Sequence, residues 1–266
     1  SILELFKGSD DLSRRAVLYH LTGLSFREYL NMSQNIALPS YTLSEILSQK
    51  VELPGIERPL PLFTEYLQKG YYPFFPEKEY EQRLRNILGQ TLESDIPLYA
   101  NMNVSTSRKL KQLLYIIAQS APFKPNISKI AGMMDVHRNQ ISDFLVYLEK
   151  AGVLMQLRND TGGIRGLGKV EKIYLGNPNL IHAIAEGKPE TGNLRETFFL
   201  SQMIQKHTVT ASPQSDFIIE GNTFEIGGKN KSQKQIKNIE NSYIVKDHIE
   251  FGYGNTIPLW AFGFNY

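Results

Sequence analysis

The apolar positions of this chain change period along its length. Residues 1–22 carry a short amphipathic stretch and then the strand-like run Ala16-Val17-Leu18-Tyr19-His20-Leu21. Helical spacing follows over 42–49, 59–69 and 77–101, divided by the turn strings Leu53-Pro54-Gly55 and Gly70-Tyr71-Tyr72-Pro73. Ser25, with Glu28 three residues on, predicts a capping box that opens a further helix. Over 105–119, Leu110, Leu113, Leu114 and Ile117 share a face, and Pro122 and Pro125 then break the chain.

The next pattern is the most specific one. Ile127, Ile130 and Ala131 face one way on a short helix capped by Asn126 or Ser128, and Met134-Asp135-Val136 makes a corner. Ile141, Phe144, Leu145 and Leu148 then repeat at i, i+3, i+4 and i+7 on a second helix that ends at Gly152. A strand over 153–157, a loop with four glycines over 159–168 and a strand over 169–175 complete the pattern of a helix-turn-helix with a wing. Beyond 187–192 the period shortens. A helix over 193–206, strands over 208–211, 216–219 and 223–226, a helix over 232–241, and strands over 243–245 and 258–262 predict an α/β unit. The expected class is multi-domain, α plus α/β, with parts at 1–103, 104–186 and 187–266.

Composition narrows the chemistry. The length of 266 residues exceeds one small core, and 41% hydrophobic with 21% charged residues is ordinary for globular protein. A net charge of +2 does not by itself mark a nucleic-acid binder, so any basic surface must be local. The absence of cysteine removes disulfides, thiolate zinc sites and cysteine nucleophiles. The five histidines have no HxxxH or HExxH spacing, which argues against zinc chemistry. No apolar run approaches the roughly 20 residues of a membrane span and no leader pattern opens the chain, so a cytoplasmic protein is expected.

Two sets of residues carry candidate chemistry. Arg138, Asn139, Gln140, Ser142 and Asp143 face outward on the second helix of the helix-turn-helix and are types that bond phosphates and base edges. Arg158, Arg165, Lys169 and Lys172 make the wing basic. Double-stranded DNA is the expected partner, with protein docking or homo-oligomerisation as the alternative use of such a module. In the α/β part, Glu196, Asp216 and Glu225 stand where a metal-dependent nuclease core of the PD-(D/E)xK type carries its acids. There, Asp216 and Glu225 would hold the metal and a lysine would stabilise the attacking water. The lysine position two residues after Glu225 is Gly227, so Lys229 or Lys231 would have to reach back, with Gln235 as a polar neighbour. A degenerate, inactive centre is expected. The acids would otherwise pair with Lys229, Lys231, Lys234 and Lys237.

The strings GSDDLSRRAVLYHLTGLSFREYL and FTEYLQKGYYP, followed by a long helix and the winged pattern, resemble the C-terminal portion of bacterial and archaeal AAA+-type ATPases. Those proteins end in a domain of unknown function related to restriction-like nucleases. The resemblance spans essentially the whole chain and is most specific at LSRRA and LSFREYL. It implies that residues 1–103 are the end of the ATPase region with its helical lid, that Ser1 closes a sensor motif, and that the chain is the interior of a longer protein. It also implies that Arg14 or Arg15 reaches a nucleotide, as an arginine finger in the intact oligomer. The plainer alternative pairs both arginines with Asp10 and Asp11. The phosphate-binding pattern GxxxxGK(S/T) and a magnesium-holding acidic strand end do not occur here. ATP and magnesium therefore belong to the intact protein, and no cofactor is expected in this stretch. The expected role is that of a recognition and regulatory half, not catalytic in itself, with a metal-dependent nuclease or a protein-interaction scaffold as rivals.

Overall fold

The computed structural model describes residues 21–120, 122–160, 168–184, 189–231 and 236–266. Arg14, Arg15, Arg165 and Gln235 lie outside the described residues.

Local chemistry sets the helical layer. In α1 (Phe26–Gln34) the Ser25 hydroxyl accepts from the Glu28 amide at 3.2 Å and the Glu28 carboxylate accepts from the Ser25 amide at 2.9 Å, the expected capping box. Thr42 and Glu45 repeat the device at α2 (Leu43–Leu47). Pro59 opens α3 (Pro59–Lys69), where its missing N–H costs nothing. The single helix expected over 77–101 is α4 (Tyr80–Gln90), a π-helical turn over Thr91–Asp95, and α5 (Ile96–Ala100). Pro97 explains the wide turn. A proline inside a helix has no amide to donate and crowds the carbonyl four residues back, and the chain answers by bonding the Ile96 amide to the Thr91 carbonyl.

Next come α6 (Val104–Ser120), α7 (Ile127–Met134), α8 (Arg138–Lys150) and the antiparallel strands β1 (Leu154–Arg158) and β2 (Val170–Leu175). Asn126 is the cap of α7, accepting from the Lys129 amide at 3.0 Å. The anticipated apolar faces are buried at Leu110, Leu113, Leu114 and Ile117 and at Ile130, Ala131, Ile141, Phe144, Leu145 and Leu148, while Ile127 is half-buried. At the hairpin base Gly152 takes φ +71° and Gly176 lies so close to it that a Cβ there would stand 2.0 Å from the Gly152 carbonyl oxygen.

The remaining elements are α9 (Pro178–Ile184), α10 (Thr191–Met203) and a five-stranded sheet in the order β3 (Val209–Ala211), β4 (Phe217–Ile219), β5 (Asn222–Gly227), β6 (Ser242–Lys246), β7 (Thr256–Pro258). The first three strands pair antiparallel, and β5–β6 and β6–β7 pair parallel. Two expectations need correction. Residues 236–241 form turns instead of the end of a helix over 232–241, with the Ile239 amide bonded to the Ile236 carbonyl at 3.0 Å; residues 232–235 are outside the description. The last strand stops at Pro258, and Leu259–Phe264 is a 3-10 helix. All six of its residues are buried, and an unbroken apolar run of this length does not by its period distinguish a buried strand from a buried helical turn. Gly263 sits against α1, where a Cβ would come 2.4 Å from that of Phe26.

The fold is thus mixed, with helical and α/β parts and two sheets among the described residues. Aromatic rings join the parts: Phe63 packs on Phe198 at 4.8 Å and Phe26 on Phe264 at 6.0 Å between centroids. Asn179 of α9 donates to the carbonyls of Tyr66 and Leu67 and accepts from the Tyr71 amide. No helix among the described residues is long and apolar enough to cross a membrane.

Candidate functional site

The site is built where α10, the β4–β5 hairpin and β2 meet. Glu190 caps α10 by accepting from the amides of Gly192 and Asn193, and this presents Glu196 one turn further along. Glu220 and Gly221 both take positive φ, 50° and 76°, the conformation of a two-residue hairpin turn that matches strand twist. That turn sets Phe217 opposite Phe224 and so brings Asp216, just before β4, beside Glu225 on β5. The Ile226 amide donates to Asp216 Oδ2 at 2.9 Å and fixes the carboxylate.

Asp216 and Glu225 line one cleft and Glu196 is joined to them through a shared cation; of the lysines the sequence suggests, Lys231 is present and Lys229 is not, and Lys172 is added. Lys172 of β2 places its ammonium 3.1 Å from Glu196 Oε2 and 3.0 Å from Asp216 Oδ1. Tyr174, two residues on and so on the same face of the strand, donates its hydroxyl to Glu196 Oε2 at 2.7 Å. The Lys172, Glu196 and Asp216 side chains are only 18%, 16% and 15% exposed. Glu225 is buried, takes a 2.6 Å hydrogen bond from the Ser215 hydroxyl, and pairs with the Lys231 ammonium. Nearby, Arg195 Nε bonds Asp247 Oδ2 at 2.9 Å.

Burial dominates the electrostatics. It pushes the Glu196 carboxyl above its usual range, Asp216 adds to the effect, and Lys172 opposes it. For Lys172 burial favours loss of the proton, but the two carboxylates outweigh it and hold the ammonium above its ordinary pKa. The Tyr174 phenol is raised by burial and by Glu196, so it is a donor throughout the ordinary pH range.

Lys229, the candidate lysine, is exposed, and Lys231 is the one that reaches Glu225. The reason is steric. A Cβ on Gly227 would lie 2.5 Å from Lys231 Cγ, so the stem of Lys231 runs across the space a side chain at 227 would take. Asp216 and Glu225 sit together as expected, but each is already engaged by protein donors, and among the described residues no three acidic or histidine side chains come together at metal-ligand spacing. The cleft beside them encloses about 700 Å³ and is also lined by Lys124, Asn159, Ser212 and Gln214.

The basic residues expected to contact nucleic acid divide. Arg138 and Asn139 are exposed at the start of α8, and Gln140 is half-buried. Arg158 turns inward, donating to the Gly168 carbonyl at 3.2 Å and to Gln156 Oε1 at 3.3 Å. Lys169 is exposed and pairs with Glu171 at 3.3 Å. Lys172 leaves the wing set altogether. Sequence reading missed Lys172, Tyr174 and Ser215 as members of the acid site; the alternation of Lys172 and Tyr174 on one strand face was the available signal.

A family model described as a domain of unknown function, DUF8612, matches residues 60–191. An uncharacterized protein of Methanocaldococcus jannaschii, MJ1637, is 24% identical over 162 residues, covering 56% of this chain and 34% of its own length. This chain therefore spans about a third of that relative. No solved structure matches.

Proposed function

We propose that this chain is the recognition and regulatory part of an AAA+-type ATPase of the cytoplasm, binding double-stranded DNA through a winged helix formed by α6–α8 and the β1–β2 hairpin. Its α/β part is read as a PD-(D/E)xK-like domain whose centre is silent. One observation carries the silent reading: both acids that would hold the metal are already engaged by ammonium groups, Asp216 by Lys172, which also pairs with Glu196, and Glu225 by Lys231. A fixed ammonium offsets one of the two negative charges but has no open coordination position with which to activate water. The binding face is read from Arg138 and Asn139, exposed where a helix N-terminus adds its own favourable dipole for phosphate. ATP and magnesium are assigned to the intact protein, with Arg14 or Arg15 as the nucleotide contact.

The test has two arms. Purified chain incubated with duplex DNA and magnesium or manganese is expected to leave the DNA intact. It is expected to bind the duplex at low salt, with affinity falling steeply as salt rises. A salt-independent response, or none at all, would count against DNA and favour a protein-interaction scaffold.

A second reading, a metal-dependent nuclease using Glu196, Asp216 and Glu225, draws on the position of Lys231 over Gly227. Cleavage that disappears in Asp216→Ala would establish it and refute the silent reading.

A further inference from the structure

A second cleft, of about 490 Å³, lies between residues 46–59, at and after α2, and the chain around β7. Ile46, Val51, Leu53, Ile56, Ile257 and Pro258 make it apolar, and Trp260 also lines it. Its polar lining is one-sided. Glu52, Glu57 and Glu250 contribute carboxylates, and no lysine, arginine or histidine is among the residues that line it. Phe251, on the same wall, is 80% exposed.

The walls are fixed by hydrogen bonds that do not depend on an occupant. Gln49 Nε2 donates to the Gly254 carbonyl at 2.9 Å and ties the end of α2 to the loop before β7. The Ile56 amide closes a turn onto the Leu53 carbonyl at 3.0 Å, and the amides and carbonyls of Tyr253 and Thr256 bond each other at 3.0 and 2.9 Å. The cleft is therefore preformed, which lowers the ordering cost of filling it.

A single exposed phenylalanine is ordinary on a protein surface. Here it borders a concave apolar wall of a size that takes a few side chains, within an acidic rim that no lining cation offsets. We infer that this cleft docks a short apolar peptide segment flanked by lysine or arginine, supplied by a partner protein. The apolar side chains fill the space between Leu53 and Ile257, the Phe251 ring covers them, and the flanking cations meet Glu52, Glu57 and Glu250.

The single tryptophan of the sequence is Trp260, so its emission reports on the cleft directly. The full chain is titrated with a synthetic peptide of about twelve residues built from leucine and lysine, and with its leucine–glutamate counterpart, a length sufficient for an amphipathic segment. The leucine–lysine peptide is expected to shift the emission saturably, and the leucine–glutamate peptide to leave it unchanged. Phe251→Ala, at an exposed position, and the double variant Glu52→Lys/Glu250→Lys are each expected to weaken binding by about tenfold or more. Equal response to both peptides, no response, or unchanged binding in both variants overturns the inference. Emission that changes with protein concentration alone and is flattened by Phe251→Ala would assign the cleft to a second copy of this chain and overturn it equally.

Discussion

Lys172 holds two buried carboxylates together, and its loss would leave Glu196 and Asp216 as like charges with nothing between them. Breaking a buried pair by removing one partner is costly because the other charge stays desolvated. With these side chains partly reached by water, Lys172→Met is expected to cost about 2–3 kcal/mol at neutral pH, read from urea unfolding. The pH dependence has a definite sign. Glu196 has a raised pKa in the folded state, because of burial and then Asp216, so its contribution is fully present at low pH and is lost as pH rises through the folded value. Lys172 opposes that rise, so removing it pushes the Glu196 pKa higher still. The gap in stability between variant and wild type should widen as pH rises above the ordinary carboxylate range; a constant gap would show that the ammonium does not act on Glu196. Lys172 itself has a raised pKa, so its own contribution persists at neutral pH and fades only as pH climbs above the ordinary lysine range.

Elements bring these residues into position, and glycines at their junctions decide how closely they approach. Gly176 closes the base of the hairpin that carries Lys172 and Tyr174, against the Gly152 carbonyl. Gly176→Ala puts a methyl carbon where backbone already is. It should destabilise by about 2 kcal/mol or more, since overpacked sites relax at that order of cost. A urea midpoint within error of wild type would refute the close approach. Arg138 and Asn139 sit at the exposed start of α8. If DNA is the ligand, Arg138→Ala should weaken binding by about tenfold and reduce the salt slope by about one. Arg158→Ala should change the slope little, because its guanidinium is engaged by Gly168, Gln156 and Glu149. Equal losses from both variants, measured by fluorescence anisotropy over a salt series, would contradict the inward placement of Arg158.

At the scale of the whole molecule, the C-terminal tail stitches the α/β part to the helical layer. The Tyr266 carbonyl accepts from the Ser25 hydroxyl at 3.0 Å and from Arg27 Nε at 2.9 Å, and the Tyr266 hydroxyl donates to the Gly23 carbonyl at 3.2 Å. Together with the Phe26, Phe63, Phe198 and Phe264 rings, these contacts predict one cooperative unfolding transition for both parts. Trp260 emission and far-ultraviolet circular dichroism should give coincident urea curves, and separated midpoints would show that the parts unfold independently.

Most of the helices, and several of their caps and buried faces, were legible in the sequence, because capping boxes and the spacing of apolar residues act within one or two turns of chain. Ser25 with Glu28, Asn126, Gly152 and the face from Ile141 to Leu148 needed no distant partner to be read. Asp216 and Glu225 were legible as neighbours, since a two-residue turn sets them side by side; Glu196 joins them only through the packing of α10 and the Lys172 bridge. What only the tertiary structure decided is which cations meet them. Lys172 lies 24 residues from Glu196 and 44 from Asp216 in sequence, and nothing in its surroundings along the chain tells a basic wing residue from an inward one. Lys231 meets Glu225 with its stem across the space open at Gly227, and Leu259–Phe264 is a fully buried 3-10 helix whose unbroken apolar run carries no period that tells it from a buried strand. Periodicity records which face of an element is dry; the identity of the neighbour that makes it dry, or that carries the opposite charge, is fixed only when remote segments pack.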